Sequence, residues 1–147
     1  MAKKFKINPT SPHSGGGKYV PAIEVPRNGG VSFNFKRLCI KGEKFDYRKR
    51  DVSYFLALVE RLKSLCYMSR IELLTNRSNS LRCHQIDFLD SGVSEDTFGV
   101  LGEDIDNDAW QMEISANAHG RIHGYFVGDV FYVVWLDPDH ELCPGSR

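Results

Sequence analysis

The chain has 147 residues, of which 41% are hydrophobic and 12% aromatic, enough for one domain with a core of its own. Its longest apolar run, Val130 to Leu136, is far shorter than the roughly 20 residues of a membrane-spanning helix, so we expect no membrane association. No apolar stretch follows the first lysines either, and the sequence therefore predicts a cytoplasmic protein without a secretory signal.

The formal net charge of zero conceals a strong asymmetry along the chain. Residues 1–50 hold 12 Lys and Arg against three acids, a net of +9, whereas residues 51–147 hold seven against 16, a net of −9. This asymmetry indicates a nucleic-acid or acidic partner for the basic part, or mutual neutralisation of the two parts within one fold.

The first 30 residues contain four prolines and several consecutive glycines, which a helix or a central strand cannot accommodate. We therefore expect a flexible basic arm over residues 1–30 and a single α+β domain over residues 31–147. The domain opens with Val31, Phe33 and Phe35 in alternation with polar residues, which predicts a strand to about Ile40. A turn is predicted at residues 41–44.

Two helices are predicted next. Asp51 can cap a helix from Val52 to Tyr67. Its apolar residues recur at steps of three and four, and they are Val52, Phe55, Leu56, Val59, Leu62 and Cys66, widened by Leu58 and Leu65. Ser69 and Glu72 form a capping box for a second, short helix through Leu74. A loop over residues 76–80, a short strand over residues 85–89 and an acidic loop over residues 90–108 follow.

The C-terminal part predicts a three-stranded antiparallel meander. Its strands are Trp110 to Ser115, Arg121 to Val127 and Val130 to Leu136, and Gly128-Asp129 is a two-residue link typical of a tight hairpin. The predicted fold class is thus α+β, with a helix pair packed on a small antiparallel sheet that ends in this meander.

The turn lengths predict a register and hence two faces of the meander. Val127 should lie opposite Val130, Tyr125 opposite Tyr132, and His123 opposite both Val134 and Glu113. The face that should pack on the helices is apolar throughout: Trp110, Met112, Ile114, Ile122, Gly124, Phe126, Phe131, Val133 and Trp135. The other face is mixed: Gln111, Glu113, Ser115, Arg121, His123, Tyr125, Val130, Tyr132, Val134 and Leu136.

The mixed face is the candidate catalytic site. Arg121 can clamp a phosphate, and Tyr125 can stack on a base. A carboxylate such as Glu113 favours the protonated form of His123, which suits a general acid. His140 follows the last strand closely and can supply a second acid or base. The alternatives are an ordinary solvated sheet face, and a surface turn around His140.

A basic stretch between the first strand and the first helix is the candidate nucleic-acid-binding patch. It comprises Lys36, Arg37, Lys41, Lys44, Arg48, Lys49 and Arg50.

Metal and thiol chemistry have weaker signals. His119 with His123 and His140 with Cys143 have spacings that a zinc site could use, but no pair matches a standard finger, and we expect no metal. The neighbours Cys83 and His84 would point in opposite directions in a strand, so a cysteine nucleophile is not expected. No CxxC pair occurs, and reduced thiols are expected.

The order of these elements resembles the RelE/ParE superfamily of bacterial toxins, in particular the mRNA-cleaving RelE and YoeB-like branch. The resemblance is one of pattern, carried by Trp110 to Ser115, Gly120 to Val127, Val130 to Leu136 and His140. The chain departs from the family in its neutral charge, its greater length and its acidic loop.

This resemblance implies cleavage of ribosome-bound mRNA without a metal or another cofactor, and an antitoxin partner. It implies that Arg121 contacts the scissile phosphate and that His140 is the general acid. Glu113 or His123 would take the proton of the attacking 2′-hydroxyl, and Tyr125 is a candidate for the family's aromatic residue. Two alternatives remain open: a non-catalytic protein-interaction module from a phage-defence or mobile-element locus, and a nucleic-acid-binding protein that performs no chemistry.

Overall fold

The computed structural model describes residues 29–76, 82–99, 108–115 and 118–145, and these residues form an α+β fold. The helices are α1 (Val52–Leu65) and α2 (Arg70–Thr75). The strands are β1 (Ser32–Asn34), β2 (His84–Gln85), β3 (Ala109–Glu113), β4 (Arg121–Val127) and β5 (Val130–Asp137). The predicted basic arm, apart from its last two residues, lies outside the described residues, as do parts of the two predicted loops.

The sheet has the order β1-β5-β4-β3-β2. Strands β3, β4 and β5 form the predicted antiparallel meander. The expectation of an entirely antiparallel sheet is wrong, because β1 pairs with β5 in parallel. A parallel pair needs a long connection, and here both helices and three strands lie between its two members.

Two predicted strands are shorter than expected because local turns end them. After β1, the Lys36 N–H donates to the Asn34 side chain and the Leu38 N–H to the Phe35 carbonyl, which interrupts the pairing with β5 until the Cys39 N–H donates to the Val134 carbonyl. After β2, the Asp87 and Asp90 carboxylates accept hydrogen bonds from backbone N–H groups two residues ahead. Such side-chain-to-backbone bonds compete with strand pairing.

Both predicted helix starts are confirmed. The Asp51 carboxylate accepts a hydrogen bond from the Tyr54 N–H at 3.0 Å, as an N-cap does. At α2 the Ser69 hydroxyl and the Glu72 carboxylate each bond to the other residue's N–H, which completes the capping box. Short-range signals of this kind depend only on neighbouring residues, and for that reason they can be identified in the sequence.

The buried face of α1 differs from the predicted stripe. Tyr54, Leu58 and Leu65 are the buried residues of the helix, and their spacing of four and seven places them on one side. Val52 and Leu56 are 73% and 62% exposed. Val59 and Phe55 are exposed as well. The helix therefore packs on one edge of its apolar stripe and leaves the other edge in solvent.

The hairpin between β4 and β5 confirms part of the predicted register. Val127 lies opposite Val130 and Tyr125 opposite Tyr132, but His123 lies opposite Trp135 because a β-bulge adds one residue to β5. Gly124 permits this irregularity, since a Cβ there would lie 2.0 Å from the Tyr132 carbonyl oxygen. The bulge moves Trp135 to the second face and Leu136 to the helix face, the reverse of the prediction.

The register between β3 and β4 is shifted by two residues from the prediction. Glu113 pairs with Arg121, and Gln111 pairs with His123. Because side chains alternate between faces, a shift by two leaves each side chain on its predicted face. The apolar face of β3 and β4 consequently packs against α1 and α2 as predicted, through Met112, Ile114, Ile122 and Phe126.

The second face of the sheet is covered. A second hydrophobic cluster joins Tyr125, Val134 and Trp135 of the sheet to residues of three irregular segments, namely Phe45, Ile86, Phe98 and Leu142. The rings of Phe45 and Trp135 stack with centroids 4.7 Å apart. The mixed face is therefore an interior surface, and the polar residues on it are buried together with apolar ones. Neither helix is long and apolar enough to cross a membrane.

Candidate functional site

A row of buried charges crosses three strands of the meander. Glu113 on β3 lies opposite Arg121 on β4 in the strand register, and Arg121 lies opposite Asp137 on β5. The Arg121 Nη1 lies 3.1 Å from the Glu113 Oε1, and Arg82 lies 3.5 Å from the other Glu113 oxygen. All three sheet residues are buried. Opposite charges thus neutralise each other within the second face of the sheet.

His123 and Asp137 form a second buried pair. Both are 0% exposed, and 3.0 Å separates the His123 Nε2 from the Asp137 Oδ2. Asp137 also accepts hydrogen bonds from the N–H groups of Glu141 and Leu142, at 2.8 and 2.9 Å. Burial alone raises the pKa of the Asp137 carboxyl, but His123 and these two N–H groups outweigh it and lower that pKa. Asp137 therefore anchors the segment that follows β5.

His140 lies in that segment, in a left-handed backbone conformation with a φ of 59°. It is half-buried, and its Nε2 has no hydrogen-bond partner among the described residues. Burial lowers the pKa of His140, the charge of Arg121 lowers it further, and Asp137 partly opposes both. The turn after β5 thus brings His140 to the same group of residues.

We call Glu113, Arg121, His123, Asp137 and His140 the buried polar cluster. The sequence placed Glu113, Arg121 and His123 on one face of the meander and left the place of His140 open; Asp137 was not among the predicted site residues. Four of these residues bond within the cluster or to its backbone: Arg121 donates to Glu113 and to the Gly120 carbonyl, and His123 bonds to Asp137. The His123 Nδ1 and the His140 Nε2 have no hydrogen-bond partner among the described residues.

Tyr125, the remaining predicted catalytic residue, is also buried. Its ring stacks on that of Tyr132, with centroids 5.4 Å apart and planes 5° apart. A Tyr ring covered in this way is not presented to a base. The catalytic roles expected of Tyr125 and of the buried polar cluster remain predictions.

The basic stretch of residues 36–50 is partly neutralised. Lys41 and Lys44 both pair with Glu95. Arg48 pairs with Asp46, and this hydrogen-bonded contact lowers the pKa of Asp46 to about 2. Among the described residues, three cations of the stretch form no ion pair, and these are Lys36, Arg37 and Lys49. The seventh, Arg50, pairs with Asp139 beyond the end of β5.

A cavity of about 380 Å³ lies at the N-terminal end of α1. We call it the His119 cavity. One wall comes from the end of the basic stretch and the first turn of α1, and the other from the connection before β4 and the turn after β5. Its lining includes Lys49, Arg50, Ser53, Tyr54, His119 and Pro138. Sequence reasoning missed this site because its walls are far apart along the chain.

Two aromatic side chains of the His119 cavity carry its polar chemistry. Tyr54 is 2% exposed, and its hydroxyl has no hydrogen-bond partner among the described residues. Burial raises the pKa of this phenol, so it stays neutral and can donate a hydrogen bond. The ring of His119 lies 6.2 Å from that of Tyr54, and its Nδ1 is 2.5 Å from the Ser115 hydroxyl. That contact fixes the imidazole beside the cavity.

Metal and thiol sites find no support in the described residues. No three His, Cys, Asp or Glu side chains of that part of the chain are grouped so that they could hold a metal ion. His119 lines the cavity whereas His123 is buried beneath the second face, so these two histidines do not share a site. Burial raises the pKa of the Cys83 thiol to about 12, which suppresses its thiolate.

No protein-family model, curated protein or solved structure matches this chain. Its function is therefore argued from the geometry of the His119 cavity and of the buried polar cluster beside it. The two are connected through residues 118–121: His119 lines the cavity, and Arg121 bonds to the carbonyl of Gly120 between them.

Proposed function

We propose that this protein is a metal-independent endoribonuclease that holds the scissile phosphate of RNA in the His119 cavity. One observation carries the proposal: an imidazole, two cations and a buried, unpartnered phenol line the same cavity. Asp51 lines it as well, and its carboxylate accepts hydrogen bonds from the Ser53 hydroxyl and the Tyr54 N–H as the N-cap of α1. The imidazole, the cations and the phenol are the groups that phosphodiester cleavage requires when the nucleophile belongs to the substrate. RNA supplies that nucleophile as its 2′-hydroxyl, and this determines the choice of RNA over DNA.

Each group has a role in the proposed reaction. His119 takes the proton of the 2′-hydroxyl, whose oxygen attacks phosphorus while the bond to the 5′-oxygen breaks. Lys49 and Arg50 neutralise the charge that develops on the phosphorane, and the Tyr54 hydroxyl donates to a phosphoryl oxygen. Water protonates the departing 5′-oxygen, and His119 returns its proton to solvent. The products are a 2′,3′-cyclic phosphate and a 5′-hydroxyl end.

The buried polar cluster has a positioning role in this proposal. Arg121 holds the Gly120 carbonyl, and Gly120 packs directly against the backbone of Asp137 at the end of β5. His119 precedes Gly120, so the buried polar cluster determines the position of the His119 imidazole. On this view Glu113, Arg121 and His123, which the sequence suggested as catalytic residues, act through His119 and do not touch the phosphate.

The first test measures cleavage of single-stranded RNA and growth arrest on expression. We expect His119→Gln to lower the cleavage rate about 100-fold or more, the usual contribution of a general base. His84→Gln is the matched control, because His84 is an exposed histidine on β2, away from the cavity. Lys49→Ala should also slow cleavage, compared with Lys63→Ala on the exposed side of α1. A wild-type protein without cleavage activity, or an equally active His119→Gln variant, contradicts the proposal.

A second candidate function is a protein-interaction module, and the exposed edge of α1 favours it. Val52, Phe55, Leu56 and Val59 recur at steps of three and four on this edge, and each is at least 37% exposed. A contiguous apolar strip on a surface helix is typical of a site that receives an amphipathic partner helix. The partner in this candidate is a small protein encoded beside this gene, as the resemblance to toxins implies.

This second candidate has its own test. The product of the neighbouring gene should co-purify with the wild-type protein, and Leu56→Lys should abolish the complex, because a charge would replace the apolar contact. Ser64→Lys is the control, since Ser64 is exposed on the same helix and lies about 80° around its axis from Leu56, away from the strip. Retention of the complex by Leu56→Lys rules out this surface. RNA cleavage by Leu56→Lys should be unchanged, which separates the two functions.

A further inference from the structure

A second cavity, of about 430 Å³, lies on the loop-covered side of the sheet near β2 and β3. We call it the Gln111 cavity. Its polar lining includes the carboxylates of Asp87 and Asp90 and the side chain of Gln111, and its apolar lining includes Ile86, Val93 and Cys143. Among the residues that the structure describes, no Lys or Arg lines it. The cavity shares no residue with the His119 cavity, and the proposed RNA cleavage does not use it.

The acceptors in this cavity lack a matching donor. Gln111 is 7% exposed, and its Oε1 has no hydrogen-bond partner among the described residues. Asp87 and Asp90 each use one oxygen to accept a backbone N–H, and neither forms an ion pair with another described residue. Of these acceptors Gln111 is the buried one, and a buried acceptor without a partner is destabilising, so a donor that satisfies it would bind favourably.

The sequence around the cavity points to a cationic ligand. No Lys or Arg occurs between Arg82 and Arg121, a stretch that holds nine acidic residues. The charge of Asp90 also reaches the cavity wall: burial raises the pKa of the Cys143 thiol, Asp137 and Asp90 raise it further, and Arg121 opposes them in part. The local field therefore favours a positive group in the cavity.

We infer that the Gln111 cavity binds a guanidinium group, such as the side chain of an arginine. A guanidinium presents five N–H donors in a rigid plane, enough for two carboxylates and an amide oxygen at once, whereas an ammonium presents a point charge. Ile86 and Val93 give the methylene stem an apolar wall. A bare metal ion is disfavoured, because no suitable group of three ligating side chains occurs in the described residues.

The test titrates blocked amino acids into the full-length protein and follows amide signals by NMR. N-acetyl-arginine amide should cause saturable shifts at Gln111, Asp87 and Asp90. N-acetyl-citrulline amide, which keeps the shape and loses the charge, should bind at least about tenfold more weakly, as expected when a charge-assisted hydrogen bond is lost. N-acetyl-lysine amide should also be weaker. Equal binding of arginine and citrulline forms, or shifts that map elsewhere, overturns the inference.

Variants identify the site and the source of the ligand. Asp90→Asn should weaken binding of the arginine amide about tenfold, while Asp96→Asn, an exposed acid of the same segment outside the cavity, should leave it unchanged. Equal affinities of Asp90→Asn and wild type overturn the inference. Free arginine tests the source: tighter binding than the blocked form indicates a free amino acid, and weaker or equal binding indicates an arginine within a protein.

Discussion

Replacement of Gly120 by alanine is expected to cost far more stability than the same replacement at Gly128. Both glycines have a left-handed backbone, with φ values of 73° and 59°, so both substitutions carry the strain of that conformation. They differ in their surroundings. A Cβ on Gly120 would lie 1.8 Å from the Asp137 carbonyl oxygen, whereas a Cβ on Gly128 has no heavy atom within 4 Å.

The difference in unfolding free energy between the two variants measures how much the close approach of Gly120 to the end of β5 matters. We expect Gly128→Ala to lose about 1 kcal/mol of unfolding free energy, the usual cost of a non-glycine residue in this conformation. Gly120→Ala should lose more than about 4 kcal/mol, because the backbone of β5 must move or the start of β4 must separate from it. Urea unfolding measures both values. Similar losses for the two variants would show that Gly120 does not pack against Asp137 as described.

Gly120→Ala also bears on the proposed function. His119 immediately precedes Gly120, and displacement of this segment from the end of β5 moves the imidazole away from Tyr54 and Lys49. If the variant folds, it should cleave RNA more slowly than Gly128→Ala, although neither substitution touches the cavity lining. Equal cleavage rates would indicate that the positioning of His119 does not depend on the buried polar cluster.

Local signals account for the parts of the fold that the sequence predicted. Asp51 and Ser69 cap helices through bonds to residues two or three positions ahead, and Gly128-Asp129 closes a hairpin by itself. The alternation in β3 and β4 placed side chains on the correct faces even though the register between these strands was off by two. Patterns that repeat over a few residues need no knowledge of the remaining chain.

Features that depend on distant contacts were not predicted. The bulge beside Gly124 requires the close approach of the Tyr132 carbonyl, and this single extra residue exchanged the faces of Trp135 and Leu136. The cover over the second face comes from irregular segments, in which no periodicity marks an inward-facing residue. One signal was available: between Val130 and Leu136 the mixed face holds only apolar residues and Tyr132. A face of this composition is more typical of an interior than of a solvated surface.

The candidate sites, too, could be predicted from the sequence only where local patterns mark their residues. Sequence reasoning singled out Arg121 and His123 because they alternate with apolar residues in β4, but it did not single out Asp137, whose contact with His123 depends on the pairing of β4 with β5. It missed the His119 and Gln111 cavities, whose walls come from separate segments. Lys49 and Arg50 were predicted to bind nucleic acid, but their proximity to Tyr54 and His119 appears only when α1 docks on the sheet.

The buried polar cluster should make Asp137 one of the least replaceable residues of the protein. We expect Asp137→Asn to lose roughly 3–5 kcal/mol of unfolding free energy, because it removes the carboxylate to which His123 bonds in a fully buried site, while Arg121 keeps Glu113 as its partner. The amide also keeps a single acceptor oxygen, whereas the carboxylate accepts from His123, Glu141 and Leu142. Asp139→Asn is the control, since Asp139 is exposed and pairs with Arg50 at the surface.

The pH dependence of this loss distinguishes a lost charge from a packing defect. The pKa of Asp137 is lower in the folded protein than its ordinary value of 3.8, so its carboxylate stabilises the fold fully above that value. That contribution disappears as the pH falls below about 4 and towards the lowered pKa, because in this range the unfolded state binds a proton at Asp137 that the folded state does not. The difference in unfolding free energy between wild type and Asp137→Asn should therefore decrease as the pH is lowered from 5 through the lowered pKa of Asp137. Urea unfolding at each pH measures this difference. A gap that stays constant over this range would mean that the charge of Asp137 contributes nothing, and that the variant is destabilised by altered hydrogen-bond geometry alone.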